Sequence, residues 1–154
     1  MPAVSESWRP AASREVMQLR ARMLRDIRAF FDQRDVLEVE TPLLSSSSTT
    51  DPNINSFSTR YQHQRLYLNT SPEYCMKRLL AAHGDAIYQV CKSFRDGELG
   101  PNHNPEFTML EWYRPGLDMF ELMDELGDLV QMLAGNYALK SDSVKKISYA
   151  EAYQ

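Results

Sequence analysis

The stretch FRDGELGPNHNPEFTMLEWYRP, residues 94–115, decides the reading of this chain. An arginine, Arg95, follows an apolar run. A loop of Gly, Pro, Asn and His comes next, and then a segment that alternates apolar and polar side chains. AIYQVCKSF (86–94) and EFTMLEWYR (106–114) both read as β-strands, so the stretch is expected to form an antiparallel pair joined by a loop of about ten residues, long for a hairpin. The two-residue period of a strand puts Phe107, Met109, Glu111 and Tyr113 on one face and Thr108, Leu110, Trp112 and Arg114 on the other. A carboxylate and a phenol among apolar neighbours are costly to bury without partners. Either Glu111 pairs with a nearby Arg or Lys while Tyr113 caps a core edge, or the two face a ligand. Arg95 stands beside a Gly-containing loop, where a guanidinium suits phosphate oxygens because it donates two parallel hydrogen bonds.

Outward from this hairpin the pattern is mixed. Ser13 is placed to cap a helix in which Val16, Leu19, Met23, Ile27, Phe30 and Phe31 recur at three- and four-residue steps, ending near residues 33–35. VLEVETP (36–42) reads as a short strand stopped by Pro42. SSSSTTDPNIN (45–55) reads as a mobile polar loop, and RLYLNT (65–70) as a further strand. In SPEYCMKRLLAA (71–82), Ser71 is expected as the cap, Pro72 as the first helical residue and Glu73 within the first turn. A second amphipathic helix is expected from Asp118 to Ala134, with Met119, Leu122, Met123, Leu126, Leu129, Val130 and Leu133 as its stripe. The tail reads as a loop, one strand turn at KKISY (145–149) and the beginning of a helix. Residues 1–12 form an arm, with Trp8 placed to dock it. These elements predict an α+β fold, with antiparallel strands and helices on one face.

Composition bounds the function. The chain has 154 residues, 43% apolar and 25% charged, enough for one domain with a core. A net charge of −4 argues against the whole chain binding a polyanion. Residues 14–34 nevertheless carry Arg14, Arg20, Arg22, Arg25, Arg28 and Arg34, a solvated helix face or a partner surface. Cys75 and Cys91 have no metal-ligand spacing and sit in apolar runs, which fits core thiols in a reducing compartment. The first residues do not follow the pattern of a signal peptide and no membrane span is visible, so a cytoplasmic protein is expected.

Glu73, at a helix start, is open to two readings. It caps free amides, or it holds an ammonium group. Together with Glu111 it would offer anionic pockets to a diamine, while Arg95 grips a nucleotide. That combination suits a site for ATP and an amino acid.

Residues 94–113 resemble motif 2 of the class II aminoacyl-tRNA synthetases, lysyl type, and NHNPEFTMLE (102–111) differs from that group's RHNPEFTMLE only at its first residue. RAFFDQRDVLEVETPLL (28–44) resembles motif 1, a long helix followed by a strand ending in proline. With TSPEYCMKRLL (70–80) and a short amino-terminal arm, the likeness is greater to the branch of lysyl-tRNA synthetase paralogues that attach β-lysine to a lysine of elongation factor P. It covers about residues 8–135. Within it, residues 1–12 are expected as an arm and 13–154 as the amino-terminal part of a class II catalytic domain, an antiparallel sheet flanked by helices with motifs 1 and 2. True lysyl-tRNA synthetases carry an anticodon-binding domain, which the short arm is not expected to include, and they usually read APEL where this chain has SPEY.

The resemblance implies the following roles. Arg95 binds the α-phosphate and stabilises the transition state as a carboxylate attacks. Asp96, Gly97 and Asn104 line the ATP site, His103 lies near the triphosphate, and Phe107 stacks on adenine. Ser71, Pro72, Glu73, Glu111 and Tyr113 surround lysine or β-lysine, with the carboxylates facing its amines. Mg²⁺ accompanies ATP, with ligands expected beyond residue 154 and none in this chain. Motif 2 often reads Phe-Arg-x-Glu. Here Gly97 stands fourth, and either Glu98 takes that place or the contact is lost. Motif 3, with its γ-phosphate arginine, has no counterpart here, so this length alone is expected to be inactive. The acceptor is expected to be elongation factor P, without tight tRNA binding. The alternatives are a truncated tRNA-charging core and a non-catalytic dimerising remnant. Motif 1 implies a homodimer, with Phe30, Phe31, Val36 and Leu37 supplying an apolar contact.

Overall fold

The computed structural model describes residues 9–137 and 144–153. The arm as far as Trp8, and residues 138–143 of the tail, lie outside that range. The elements run α1 (Arg14–Asp32), β1 (Leu37–Glu38), β2 (Leu44–Ser45), β3 (Ser58–Tyr61), β4 (Gln64–Leu68), α2 (Glu73–His83), β5 (Ile87–Phe94), β6 (Glu106–Tyr113), α3 (Met119–Asn136) and α4 (Tyr149–Ala152). They fall into two compact units, one built from Met1–Gln33 with Asp118–Gln154 and one from Arg34–Leu117.

The second unit holds all the strands among the described residues. β5 and β6 pair antiparallel from Ile87↔Tyr113 to Phe94↔Glu106, the hairpin expected from the sequence. β1 joins β5 on its other side, and this pairing is parallel, so the three-stranded sheet β1-β5-β6 is mixed rather than purely antiparallel. The long connection from β1 to β5, through β2, β3, β4 and α2, supplies the crossover that a parallel pair needs. The expected strand at 36–42 shrinks to Leu37–Glu38. The chain still follows β5 beyond it: Val39 N donates to Tyr88 O (2.9 Å) and Thr41 Oγ1 to Gln89 Oε1 (2.9 Å). Pairing stops before Pro42, which has no N–H to give.

A second sheet, order β2-β4-β3, went largely unread in the sequence. Only β4 was expected. Tyr61↔Gln64 leaves Gln62 and His63 as a two-residue turn, with Gln62 at φ 54°. Asn or Gly usually takes such a position, so the turn carries no ordinary sequence mark.

Helix α2 starts one residue later than expected. Pro72, not Ser71, is its N-cap, and no side chain caps it. It ends on Gly84 at φ 75°, whose N–H donates to Leu80 O (2.8 Å), a left-handed stop that glycine adopts without strain.

In the first unit Ser13 caps α1 as expected, accepting from Val16 N (3.4 Å). Asp118 and Glu121 form a reciprocal capping box at the start of α3. Asp26 of α1 accepts from Tyr137 OH (2.6 Å) and Asn136 Nδ2 (3.2 Å) at the end of α3. The buried residues of α3 are Glu125, Gly127, Leu129 and Ala134, so only Leu129 of the expected stripe is buried. Met119, Leu122, Leu126 and Val130 are exposed. Helical periodicity identifies an apolar face but not what covers it. KKISY forms no strand: Lys146 Nζ pairs with Asp124 (2.6 Å), and Ser148 accepts from Glu151 N to cap α4.

Phe30, Phe31 and Val36, expected to meet a second subunit, are instead buried within this chain. Phe30 and Phe31 pack edge to face at 5.3 Å. Of the four, only Leu37 stays exposed, at 58%. No helix among the described residues is long and apolar enough to cross a membrane.

Candidate active site

The second unit contains an open cavity of about 720 Å³. Three sequence-distant segments make its walls. The hairpin contributes Arg95, Met109, Glu111, Trp112 and Tyr113, the approach to α2 contributes Thr70, Ser71, Glu73 and Tyr74, and the loop between β2 and β3 contributes Thr49, Thr50, Asp51, Pro52 and Ile54. Five residues singled out in the sequence therefore meet on one surface: Ser71, Glu73, Arg95, Glu111 and Tyr113. Pro72 sits between two of them, buried at the helix cap.

Arg95 is held from several sides. Its Nε donates to Thr70 O (3.4 Å), its guanidinium lies 5.1 Å from the centre of the Phe107 ring, and one amino nitrogen pairs with Glu98 Oε1 at 3.5 Å. Stacking on an aromatic face fixes the guanidinium plane and leaves its edge for hydrogen bonds. The side chain keeps 25% of its surface open. Gly97 takes φ 83° in the turn after Arg95, which brings Glu98 rather than the fourth motif residue beside the guanidinium.

The other end of the cavity is acidic. Tyr113 OH donates to Glu111 Oε1 at 2.5 Å. Burial pushes the Glu111 carboxyl above the usual carboxylate range and Glu73 adds to this, while the Tyr113 hydrogen bond and the Lys77 charge oppose it. Burial, reinforced by Glu111, also pushes the Tyr113 hydroxyl up, so it stays a hydrogen-bond donor at neutral pH. Glu73 pairs with Lys77 one helical turn on, at 2.6 Å. Among the described residues Glu111 bonds the neutral Tyr113 hydroxyl and feels Lys77 only at a distance, so the site has a half-buried carboxylate whose ionised form is not fully compensated. An ammonium group would supply that compensation.

Cys91 faces the same side of the sheet, paired across it with Met109. Burial raises its thiol pKa, which disfavours the thiolate and speaks against a nucleophilic role. Both cysteines are free.

The remaining expected residues do not line the cavity. Asp96, Gly97, His103 and Asn104 belong to the loop joining β5 to β6. Its tip closes through reciprocal Gly100–His103 backbone bonds (3.0 and 3.2 Å), and Asp96 N donates to Asn55 O (2.9 Å). Phe107 contacts Arg95 rather than the cavity. Sequence reading missed Thr49, Thr50, Asp51, Pro52, Ile54, Thr70, Tyr74, Met109 and Trp112, the last of which alternation places on the opposite face. The cluster of Ser, Thr, Asp and Asn in 45–55 was a usable signal, since such side chains bond nearby backbone and build shaped loops. Asn53 N donates to Asp51 Oδ1 (2.8 Å), and Asp51 N to Thr49 Oγ1 (3.3 Å).

A phosphate ester fits the residues present: Arg95 is oriented, partly open and, among the described residues, matched by a long Glu98 contact. Among the described residues, no group of three His, Cys, Asp or Glu side chains converges as a metal-binding cluster.

Comparison with known proteins identifies the family. Residues 6–154 match the family described as tRNA synthetases class II (D, K and N). Proteins named elongation factor P–(R)-β-lysine ligase are close relatives. The one from Actinobacillus succinogenes is 48% identical over 97% of this chain, that from Pseudoalteromonas translucida 48% over 96%, and that from Salmonella paratyphi B 47% over 96%. In each case the match spans 46% of the relative, so the chain covers about half the length of the curated relatives it matches. The mixed fold, the hairpin and the family match agree, and the chain belongs to the class II tRNA synthetases of the D, K and N group.

Proposed function

We propose that this chain forms part of an ATP-dependent ligase that activates a lysine-type amino acid as its adenylate and transfers it to a lysine side chain of elongation factor P. The observation that carries this reading is one cavity with an oriented arginine at one end and the Glu111–Tyr113 pair, with Glu73 close by, at the other. Residues 13–154 then make up the amino-terminal part of the catalytic domain.

In the first step a carboxylate oxygen of the amino acid attacks the α-phosphorus of ATP, and pyrophosphate leaves. Arg95 stabilises the charge that builds on the phosphoryl oxygens. Glu111 and Glu73 hold the amines, and Tyr113 fixes the Glu111 carboxylate by its hydrogen bond. In the second step the acceptor amine attacks the acyl carbon and AMP leaves. Asp96, Gly97, His103, Asn104 and Phe107 are proposed for the nucleotide side of the site, with Phe107 also setting the plane of Arg95.

Support for the protein acceptor comes from the names of the relatives, and support for a lysine-type substrate from the paired carboxylates. Transfer is tested by incubating the complete protein with ATP, labelled β-lysine and either elongation factor P or lysine tRNA. Label should enter elongation factor P at a rate well above that into tRNA. Comparable charging of tRNA contradicts the proposed acceptor.

A homodimer through α1 and the segment around β1 is part of the proposal. With Phe30, Phe31 and Val36 buried, such a contact draws on Leu37 and on exposed Leu44. The complete protein should sediment as a dimer at micromolar concentration, and a monomer there removes this part of the reading.

A further inference from the structure

We propose that Tyr74 is a positioning residue of this site, whose hydroxyl holds the loop between β2 and β3 in place as one wall of the amino-acid pocket. The inference rests on the reading of the cavity as an amino-acid site. The loop is anchored at its ends, by β2 pairing with β4 and by the backbone bridge between Asn55 and Asp96. Between those anchors its hydrogen bonds run within the loop: Ser47 N to Ser45 Oγ, Asp51 N to Thr49 Oγ1, Asn53 N to Asp51 Oδ1, and Ser48 Oγ to Ser56 Oγ. These bonds shape the loop without fixing it to the rest of the site.

The hydrogen bond between Thr50 Oγ1 and Tyr74 OH, at 2.8 Å, fixes it. It ties the middle of the loop to the first turn of α2, next to Glu73, so the wall carrying Asp51, Pro52 and Ile54 lines the same cavity as the carboxylates. The Tyr74 hydroxyl pKa is lowered, with the Thr50 side chain the largest cause and the Thr50 backbone and Thr49 side chain adding to it, as expected for a phenol oxygen that receives hydrogen bonds from the loop. Tyr74 is also the tyrosine of SPEY, the fourth position at which the sequence departs from APEL. A leucine there has no hydroxyl with which to bond the loop.

A loop already ordered costs a ligand less to bind. Loss of this tie therefore falls on the amino-acid KM and spares the phosphate end at Arg95. In the complete protein, Tyr74→Phe should raise the KM for the lysine-type substrate about threefold to tenfold, the range of one lost hydrogen bond. The KM for ATP should stay within twofold and kcat within threefold. Thr50→Val should shift the same KM in the same direction but by no more, since the Thr50 backbone also bonds the Tyr74 hydroxyl, and the double variant should be no worse than Tyr74→Phe alone. Limited proteolysis without substrate gives an independent readout: Tyr74→Phe should speed cleavage within 45–57. An unchanged KM with unchanged cleavage overturns the proposal, as do single effects that simply multiply. If the complete protein activates no lysine-type amino acid, the functional reading fails while the cleavage comparison still decides whether Tyr74 fixes the loop.

Discussion

Arg95→Ala in the complete protein is expected to slow adenylate formation by about 10²–10³-fold, the effect of losing one preorganised donor worth roughly 3–4 kcal/mol in the transition state. The size follows from how the side chain is held. Phe107 fixes its plane, Thr70 O its Nε, and the Glu98 contact at 3.5 Å is long enough to yield to a phosphate. A flexible surface arginine would have to be ordered during the reaction and would contribute less. Arg95→Lys should recover only part of the loss, because an ammonium cannot make two parallel bonds in a fixed plane. The variant should bind the amino acid nearly as well as the parent, since the carboxylate end of the cavity is untouched. Pyrophosphate exchange within threefold of the parent would remove Arg95 from the chemistry.

Glu111→Gln is expected to weaken binding of the lysine-type substrate by about ten- to a hundredfold, the range for losing a hydrogen bond to a charged group. The fold should not suffer. Burial raises the Glu111 pKa, so the ionised form costs stability in the empty protein at pH above that raised value. The cost vanishes as pH falls below the carboxyl's unfolded value. Glutamine removes it at neutral pH while keeping a group that accepts from Tyr113 OH, so the variant should melt no lower than the parent. The same shift sets a pH dependence. An ammonium ligand binds the ionised carboxylate, so affinity should rise with pH through the raised Glu111 pKa and level off above it. In Glu111→Gln that rise should be absent. A parent profile that is flat from the ordinary carboxylate range up to neutrality would mean that Glu111 does not hold the amine.

The hairpin was legible because two local rules coincide there. Alternation placed Glu111 and Tyr113 on one face, and the Gly- and Pro-rich stretch between the strands marked the loop after Arg95. The structure joins Glu111 and Tyr113 by a hydrogen bond and places Arg95 on the same cavity. What stayed hidden depends on contacts between distant segments. Nothing local says that Leu37 pairs parallel with Ile87, since that requires the path of the intervening fifty or so residues. β3 carries no apolar alternation and its turn lacks the usual Asn-Gly signal, so a sheet edge looked like loop. The SSSSTTDPNIN segment was correctly polar, but its place on the cavity wall follows from Thr50 meeting Tyr74, twenty-four positions away. The stripe of α3 shows the opposite failure: periodicity predicted an apolar face, yet Met119, Leu126 and Val130 are exposed.

A single cavity that activates a lysine-type amino acid on ATP should support amino-acid-dependent exchange. Amino-acid-dependent ATP–pyrophosphate exchange by the complete protein tests it most directly, with α-lysine, β-lysine and norleucine, which lacks the side-chain amine, compared at equal concentration. Exchange is expected with at least one of the two lysines and at least tenfold weaker with norleucine, because Glu73 and Glu111 then have no second ammonium to hold. Exchange that is absent with both lysines, or equally fast with norleucine, would contradict the proposed function.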